Sequence, residues 1–225
     1  MTEKQLAQAR EKEEKRQRRL EAEIARMKKM MEYEERFADR GLIAGIDEVG
    51  RGPLAGPVVT CAVILPSDHM ILYLNDSKKL SEKKREELDR VIRSEAIAYS
   101  LGGESPQMID DVNILQATYS AMRKSVAGLR PQPDFLLNDA VTIPDVSIPQ
   151  CPIIHGDALS ASIAAASIVA KVARDRMMVE YDRLYPEYGF ARHKGYGTRE
   201  HIEALRKYGP CPIHRRTFIS KLLSS

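Results

Sequence analysis

The chain has 225 residues, of which 43% are hydrophobic and 30% are charged, and its net charge is +3. This length and apolar content suit one domain of ordinary size, with or without an appendage. The three cysteines are far apart and lack a C-x-x-C pair, which argues against a disulfide framework or structural zinc and favours a reducing cytoplasm. No apolar signal region opens the sequence and no window reaches about 18 apolar residues, so we expect neither secretion nor membrane insertion.

Charge is distributed unevenly along the chain. Residues 41–170 contain 11 basic and 16 acidic residues, whereas residues 171–216 contain 11 basic and 6 acidic ones. An acidic body beside a basic segment suits a metal site next to a surface that binds a polyanion.

Residues 1–40 differ in composition from the rest of the chain. They contain 12 basic and 10 acidic residues without glycine or proline, and their apolar stripe is thin, so they predict a charged helical N-terminal extension. Two interpretations stay open. The helix is either solvated along its length, or it packs on the main domain or contacts substrate phosphate.

From Gly41 onward, the pattern alternates between strands and helices and predicts an α/β domain with a mixed sheet over residues 41–225. The predicted strands are 42–48, 57–65, 96–102, 135–139 and 152–157. The predicted helices are 81–93, 105–127, 160–185 and 198–208. Serine or threonine stands at the first position of each helical range, where N-caps are favoured.

Carboxylates follow three of these strands. Asp47 and Glu48 end the first, Asp139 ends the fourth and Asp157 ends the fifth. Because strand ends gather at one edge of an α/β sheet, residues far apart in sequence can share one pocket there. A set of carboxylates suits Mg²⁺ or Mn²⁺, whereas zinc favours histidine and thiolate. Neighbouring side chains of a flat strand point to opposite faces, so the chain is expected to bend at Asp47 and Glu48.

A glycine-flanked arginine, Gly50-Arg51-Gly52, comes directly after the first pair of carboxylates. Glycines let backbone amides approach a phosphate or sugar closely, and the arginine adds a planar cation. A dinucleotide-binding loop would open a helix at this point, but Pro57 and a β-branched run open another strand. The segment therefore indicates a metal-dependent site that handles a phosphodiester.

Several motifs occur together and in order over residues 41–218. They are D-E-V-G-R-G-P-L-A-G-P (47–57), N-D-S-K-K-L-S (75–81), L-N-D (137–139), G-D (156–157), A-A-A-S-I-V-A-K-V-A-R-D-R (164–176), H-K-G-Y-G-T (193–198) and H-R-R-T-F (214–218). Through these motifs the chain resembles ribonuclease HII, the type 2 branch of the ribonuclease H family.

The resemblance implies a ribonuclease H-like fold, with a five-stranded mixed sheet flanked by helices. It also implies a metal-dependent endoribonuclease that hydrolyses the RNA strand of RNA/DNA hybrids. Single ribonucleotides in duplex DNA would be cut on their 5′ side, leaving 3′-hydroxyl and 5′-phosphate ends, as ribonucleotide excision repair requires. The expected partner is nucleic acid, with no membrane, and the expected state is a cytoplasmic monomer.

The resemblance also assigns roles to residues by motif. The carboxylates expected to be catalytic and to bind two Mn²⁺ or Mg²⁺ ions are Asp47, Glu48, Asp139 and Asp157. The residues expected to contact substrate are Gly50, Arg51, Gly52, Lys78, Tyr196, His214 and Arg215. Tyr196 would stack at the RNA-to-DNA junction, although an ordinary half-buried aromatic is the alternative. Lys78 and Lys79 could equally be a solvated pair.

Two other functions remain open at this point. A non-catalytic nucleic-acid-binding domain could keep the fold, although an incomplete set of carboxylates would then be expected. Another nuclease or strand-transfer enzyme of the same fold would also use clustered carboxylates and two metals, but it should lack the G-R-G and K-G-Y-G segments.

Overall fold

Five strands form one mixed sheet in the computed structural model, which describes residues 3–223. The strands are β1 (Ile43–Val49), β2 (Val58–Ile64), β3 (Ala98–Glu104), β4 (Phe135–Asp139) and β5 (Gln150–Ile153). Their order is β3-β2-β1-β4-β5. The first three strands pair antiparallel, whereas β4 pairs parallel to both β1 and β5. The expected fold class, a five-stranded mixed sheet flanked by helices, is confirmed.

Helices cover both faces of this sheet. They are α1 (Glu3–Met30), α2 (Glu32–Arg36), α3 (Glu82–Glu95), α4 (Pro106–Val112), α5 (Ile114–Ala127), α6 (Gly156–Leu159), α7 (Ala161–Leu184), α8 (Phe190–His193), α9 (Arg199–Tyr208) and α10 (Arg216–Leu223). Short 3-10 turns occupy Ala38–Arg40, Ser77–Lys79 and Pro186–Tyr188. None of the helices within residues 3–223 has the length and apolarity needed to cross a bilayer.

The two faces of the sheet follow the period-2 alternation of its strands. Val59, Cys61 and Val63 of β2 pack with α1, α3 and the alanine-rich half of α7, whereas Ala62 and Ile64 pack with α5. Every residue of β2 is buried, as expected for a strand covered on both faces. The β1 side chains that point to the α7-covered face of the sheet therefore contact that helix.

Helix α7 lies unusually close to β1 at Gly45. A Cβ at this position would lie 2.1 Å from the carbonyl carbon of Ser162 and 2.3 Å from the amide nitrogen of Ile163. Any side chain would push the helix away from the strand. Because side chains alternate along β1, Asp47 points to the same α7-facing side as Gly45.

Several elements differ from the sequence prediction, including β3, which runs two residues later than expected, and α10, which follows the last predicted helix. The helical region 105–127 is broken at Asn113, which has a φ of +70° and whose side chain accepts hydrogen bonds from the first amides of α5. The fifth strand ends at Ile153 rather than at residue 157, since His155 adopts the left-handed conformation and opens α6. Asp157 thus lies on a short helix and not at a strand end.

The charged N-terminal helix joins the body through its second half. Residues 8–19 are exposed, but Met27 and Met30 are buried in the cluster that includes Ile71 and Leu74. Beyond α1, Glu34 accepts hydrogen bonds from Ser160, the N-cap of α7, and from Ser162. Of the two interpretations, packing on the main domain describes the end of this segment, and exposure describes its beginning.

We predict that Met27→Ala lowers the free energy of unfolding by about 2–5 kcal/mol, the usual cost of truncating a buried methionine. Urea denaturation measures this change. The matched control is Leu6→Ala on the exposed part of the same helix, where the loss should stay within about 0.5 kcal/mol. Equal effects of the two substitutions would mean that the helix does not belong to the core in solution.

Candidate active site

The parallel pair of β1 and β4 brings the first two carboxylates together. Ile46 pairs with Asn138, and the next residue of each strand is Asp47 and Asp139, at the carboxyl ends of both strands. Asp139 Oδ1 accepts a hydrogen bond of 2.7 Å from the amide of Gly156, the first residue of α6. That bond holds the start of α6 beside Asp139, and Asp157 follows directly. The structure thus joins the carboxylates of three elements at one edge of the sheet.

The strand does not bend where the sequence predicts it. Its pairing with β2 continues through Glu48 and Val49, and the first departure comes at Gly50, where φ is +92°. Glu48 stays on the strand and forms an ion pair of 3.3 Å with Arg51. The bend is displaced because glycine reaches positive φ without the strain that Asp47 or Glu48 would suffer.

Burial and mutual repulsion disfavour the charged forms of these acids. Burial raises the pKa of Asp47 well above its ordinary value, and the charges of Glu48 and Asp139 add to the effect. Burial also raises the pKa of Glu48, against the opposing effect of Arg51. The pKa of Asp157 is raised by burial first and then by Asp76 and Asp139. The charge of Asp139 thus raises the pKa of all three other carboxyl groups.

The donor chemistry of this group fits a hard divalent cation. All four candidate ligands are carboxylates, the oxygen donors that Mg²⁺ and Mn²⁺ prefer, and a cation among them would offset the repulsion that raises their pKa values. Within residues 3–223, no three His, Cys, Asp or Glu side chains are already arranged as a metal-binding cluster. Side-chain adjustment would therefore accompany metal binding.

Sequence analysis did not identify two neighbours of the carboxylates as site residues. The carboxyl group of Asp76, from the N-D-S-K segment, hydrogen bonds with Asp157. Ser167 of α7 hydrogen bonds with Asp47 and lies 2.9 Å, Oγ to Oγ, from Ser77. The available signal for Ser167 was a hydroxyl in the alanine-rich, buried half of α7, which also contains Ser162. Lys78, one of the expected substrate contacts, is exposed beside Glu48 and Asp157.

The glycine-flanked arginine forms an open loop next to an exposed aromatic ring. Arg51 and Gly52 are exposed, and a Cβ at Gly52 would lie 3.9 Å from Cε1 of Tyr196. The Tyr196 residue is 44% exposed. Its loop is tied to the first one by a hydrogen bond from Leu54 N to Gly195 O. The structure therefore places the two predicted substrate segments side by side.

His214 and Arg215 lie elsewhere than sequence analysis expected. His214 is 2% exposed and Arg215 is fully buried, so neither presents its side chain to solvent. The guanidinium of Arg215 donates to the backbone carbonyls of Gly50, Arg51 and Gly56. The resemblance by motif assigned substrate contact to both residues, but the guanidinium of Arg215 is directed at backbone carbonyls of the loop. Both side chains are therefore buried, and Arg215 contacts the loop from its inner side.

A cluster of buried histidines supports the Tyr196 loop. His201 Nδ1 lies 2.9 Å from the carbonyl oxygen of Tyr196, and its Nε2 lies 3.0 Å from Nε2 of His214. His193 stacks on His201 with ring centroids 4.6 Å apart. Burial lowers the pKa of all three, that of His214 to about 4. Neutral imidazoles are therefore part of the fold beneath this loop.

The family of the chain follows from its similarity to known proteins. Residues 44–221 match the profile of the family Ribonuclease HII. The chain belongs to the ribonuclease HII family. A relative named Ribonuclease HII from Lachnoclostridium phytofermentans is 61% identical over 206 residues, which cover 92% of this chain and 81% of that protein. One from Caldanaerobacter subterraneus subsp. tengcongensis is 57% identical over 206 residues, with coverages of 91% and 86%.

The crystal structure of ribonuclease H2 from Pyrococcus horikoshii OT3 is similar to this ribonuclease HII, with a TM-score of 0.67 and 26% identity. The match covers 81% of this chain and 97% of that one. The resemblance seen in the motifs is confirmed, and the chain is a ribonuclease H, a nuclease that acts on nucleic acid.

We predict that acidification destabilises the protein through the buried histidines. Because the folded-state pKa of His214 lies below its ordinary value of 6.5, the unfolded chain binds a proton that the folded chain excludes as pH falls through 6.5 towards 4. The stability lost is about 3 kcal/mol for His214 over that window. Urea denaturation between pH 7 and 4 measures it.

One variant isolates the contribution of His214 from that of the carboxylates. His214→Asn should flatten the pH dependence of unfolding, because it removes the imidazole whose pKa the fold lowers. A His214→Asn protein with the full wild-type pH dependence contradicts the prediction.

Proposed function

We propose that this ribonuclease HII cuts on the 5′ side of a single ribonucleotide in duplex DNA, leaving 3′-hydroxyl and 5′-phosphate ends. The observation that carries the proposal is the adjacency of three groups on one surface. Asp47 and Glu48 lie near the carboxyl end of β1 and Asp139 ends β4. The Gly50–Gly52 loop, with Arg51 and Gly52 exposed, follows β1 directly, and the exposed ring of Tyr196 lies against Gly52. A 2′-hydroxyl distinguishes a ribonucleotide from its DNA neighbours, and closely approaching backbone amides suit its recognition.

The carboxylates proposed to hold Mg²⁺ or Mn²⁺ are Asp47, Glu48, Asp139 and Asp157. When bound, a pair of such ions supplies an activated water and neutralises charge on the leaving oxygen. The chain itself contributes the alignment of the donors. Asp139 is fixed by the amide of Gly156, and Asp47 accepts hydrogen bonds from its neighbour's amide at 2.7 Å and from Ser167.

Substrate contacts are proposed for the loops that border this group. The amides of the Gly50–Gly52 segment would approach the 2′-hydroxyl and the adjacent phosphate, and Arg51 and Lys78 would add positive charge. Tyr196 would stack on the sugar at the RNA-to-DNA junction. The G-R-G and K-G-Y-G segments favour this assignment over another nuclease or strand-transfer enzyme of the same fold.

A role in ribonucleotide excision repair follows from this activity, and we place the enzyme in the cytoplasm as a monomer. The free thiols of Cys61, Cys151 and Cys211 support a reducing compartment. Of these, Cys61 and Cys211 are buried.

The direct test uses a DNA duplex with one ribonucleotide, incubated with and without Mg²⁺ or Mn²⁺. We expect metal-dependent cleavage at that position only, and Asp139→Asn should lower kcat by roughly 100-fold or more, since it removes a charged oxygen donor from the group proposed to hold the metal ions. The control is Asp145→Asn, at a side chain that is 84% exposed.

Sequencing gels of the products identify the bond that is cut and the ends that remain. Metal-independent cleavage, equal cleavage of an all-DNA duplex, or full activity of Asp139→Asn would each refute the proposed function.

A second prediction concerns the stacking ring. Tyr196→Ala should lower kcat/KM on the single-ribonucleotide duplex by about 5- to 150-fold, since a stacking contact contributes roughly 1–3 kcal/mol, whereas Tyr196→Phe should keep most of the activity. Tyr208→Ala is the matched control, because Tyr208 is 51% exposed at the end of α9. If Tyr196→Ala and Tyr208→Ala behave alike, Tyr196 is an ordinary surface aromatic.

A further inference from the structure

The substrate loop rests on a buried guanidinium whose partners are backbone carbonyls. Arg215 Nη2 donates to Gly50 O at 2.5 Å, Nη1 donates to Arg51 O at 2.9 Å, and Nε donates to Gly56 O at 3.0 Å. The residue is fully buried, and it belongs to none of the ion pairs found within residues 3–223. A charge buried without a carboxylate is costly, so it needs an explanation beyond packing.

The geometry of the peptide unit gives that explanation. In a trans peptide, the carbonyl of one residue and the amide of the next point in opposite directions. The peptides of this loop are trans, so drawing the carbonyls of Gly50 and Arg51 inward turns the amides of Arg51 and Gly52 outward. Both residues are exposed, and neither amide donates to an acceptor in the described part of the chain. Arg215 thus leaves two adjacent donors aimed at solvent.

A second buried guanidinium fixes this loop relative to Tyr196. Arg174 donates to Pro57 O at 2.9 Å, to Ala55 O at 3.1 Å and to Lys194 O at 3.0 Å. Its contacts therefore span the segment after the first loop and the segment before Tyr196. Gly50 permits this approach, since a Cβ there would lie 2.2 Å from Arg174 Nε.

The two guanidiniums also place positive charge beneath the outward amides. Burial lowers the pKa of Arg215 to about 9, with Arg174 adding to the effect, so Arg215 stays protonated near neutral pH. In a poorly solvated setting, such a charge is weakly screened and favours an anion on the loop. The outward amides of Arg51 and Gly52 can donate to a hydroxyl or a phosphate oxygen. The positive potential beneath them favours the negative charge of a phosphodiester.

We infer that Arg215 is a positioning residue that aims the amides of Arg51 and Gly52 at the 2′-hydroxyl and adjacent phosphate of the substrate, while Arg174 sets this loop against Tyr196. The inference rests on the proposed function. It assigns selectivity for ribonucleotides to a side chain that never touches the substrate.

The test compares Arg215→Lys with wild type on two duplexes that differ by a single 2′-hydroxyl. Lysine keeps the charge but replaces a planar fork by one ammonium, which cannot hold three carbonyls in the same arrangement. We expect KM for the ribonucleotide duplex to rise about tenfold and the preference over all-DNA duplex, measured as binding in Ca²⁺, to fall about tenfold. A merely structural role would lower the melting temperature without changing that preference.

Arg130→Lys is the matched control. Arg130 also donates to backbone carbonyls, those of Ala127 and Leu129, but it lies before β4, at the opposite edge of the sheet. Its kinetics and preference should equal those of wild type. A folded Arg215→Lys protein whose KM and preference stay within twofold of wild type would overturn the inference. A wild-type enzyme that does not cut at the ribonucleotide refutes the proposed function instead.

Amide hydrogen exchange of the wild-type enzyme decides the case if Arg215→Lys fails to fold. Binding of the ribonucleotide duplex in Ca²⁺ should slow exchange at Arg51 and Gly52 at least tenfold more than binding of the all-DNA duplex. Equal exchange at these amides in both complexes would overturn the inference, because amides aimed at the 2′-hydroxyl must distinguish the two.

Discussion

The close contact between α7 and β1 is the constraint on which the rest of the structure depends. At Gly45, the backbone of the helix occupies the space that any side chain would need, so the register between helix and strand is fixed there. From that point, the helix carries Ser167 to Asp47 and, further along, Arg174 to the carbonyls after the glycine loop. One long helix thus supports both the carboxylates and the substrate loops. Its alanine-rich half makes the close approach possible, because small side chains keep the two backbones near each other.

The site combines two kinds of support that are chemically opposite. The carboxylates gather negative charge in a poorly solvated place, which raises the pKa of Asp47 and Asp157 and makes the group a receptor for cations. Directly beside it, Arg174 and Arg215 place positive charge under the glycine loop. An acidic group and a loop supported by buried cations thus lie side by side. The burial of both kinds of charge keeps their effects local and weakly screened by salt.

Local patterns predicted the elements and the strand-end carboxylates well, because strand alternation, capping residues and turn glycines depend on neighbours in sequence. Asp47 and Asp139 needed only the rule that parallel strands end at one edge. Asp157 lies at the same edge of the sheet, but on the short helix α6 and not at a strand end. The pattern did not show this, because the strand ends early and the left-handed His155 opens a helix there. The roles of His214 and Arg215 could not be predicted, because a basic motif does not reveal whether its charge is buried. Sequence left open whether the N-terminal helix packs on the main domain for a similar reason, since the partners of Met27, Ile71 and Leu74, lie far along the chain.

The contact between Arg215 and Gly50 joins positions separated by 165 residues. During synthesis on the ribosome, the strand with Asp47 emerges long before the arginine that orders the loop beside it. A partly made polypeptide therefore carries its acidic residues before the hydrogen bonds of Arg215 to the glycine loop can form. The hydrogen bonds of Arg215 to this loop are thereby formed only in molecules whose translation has passed residue 215, and a chain that ends within α9 lacks them.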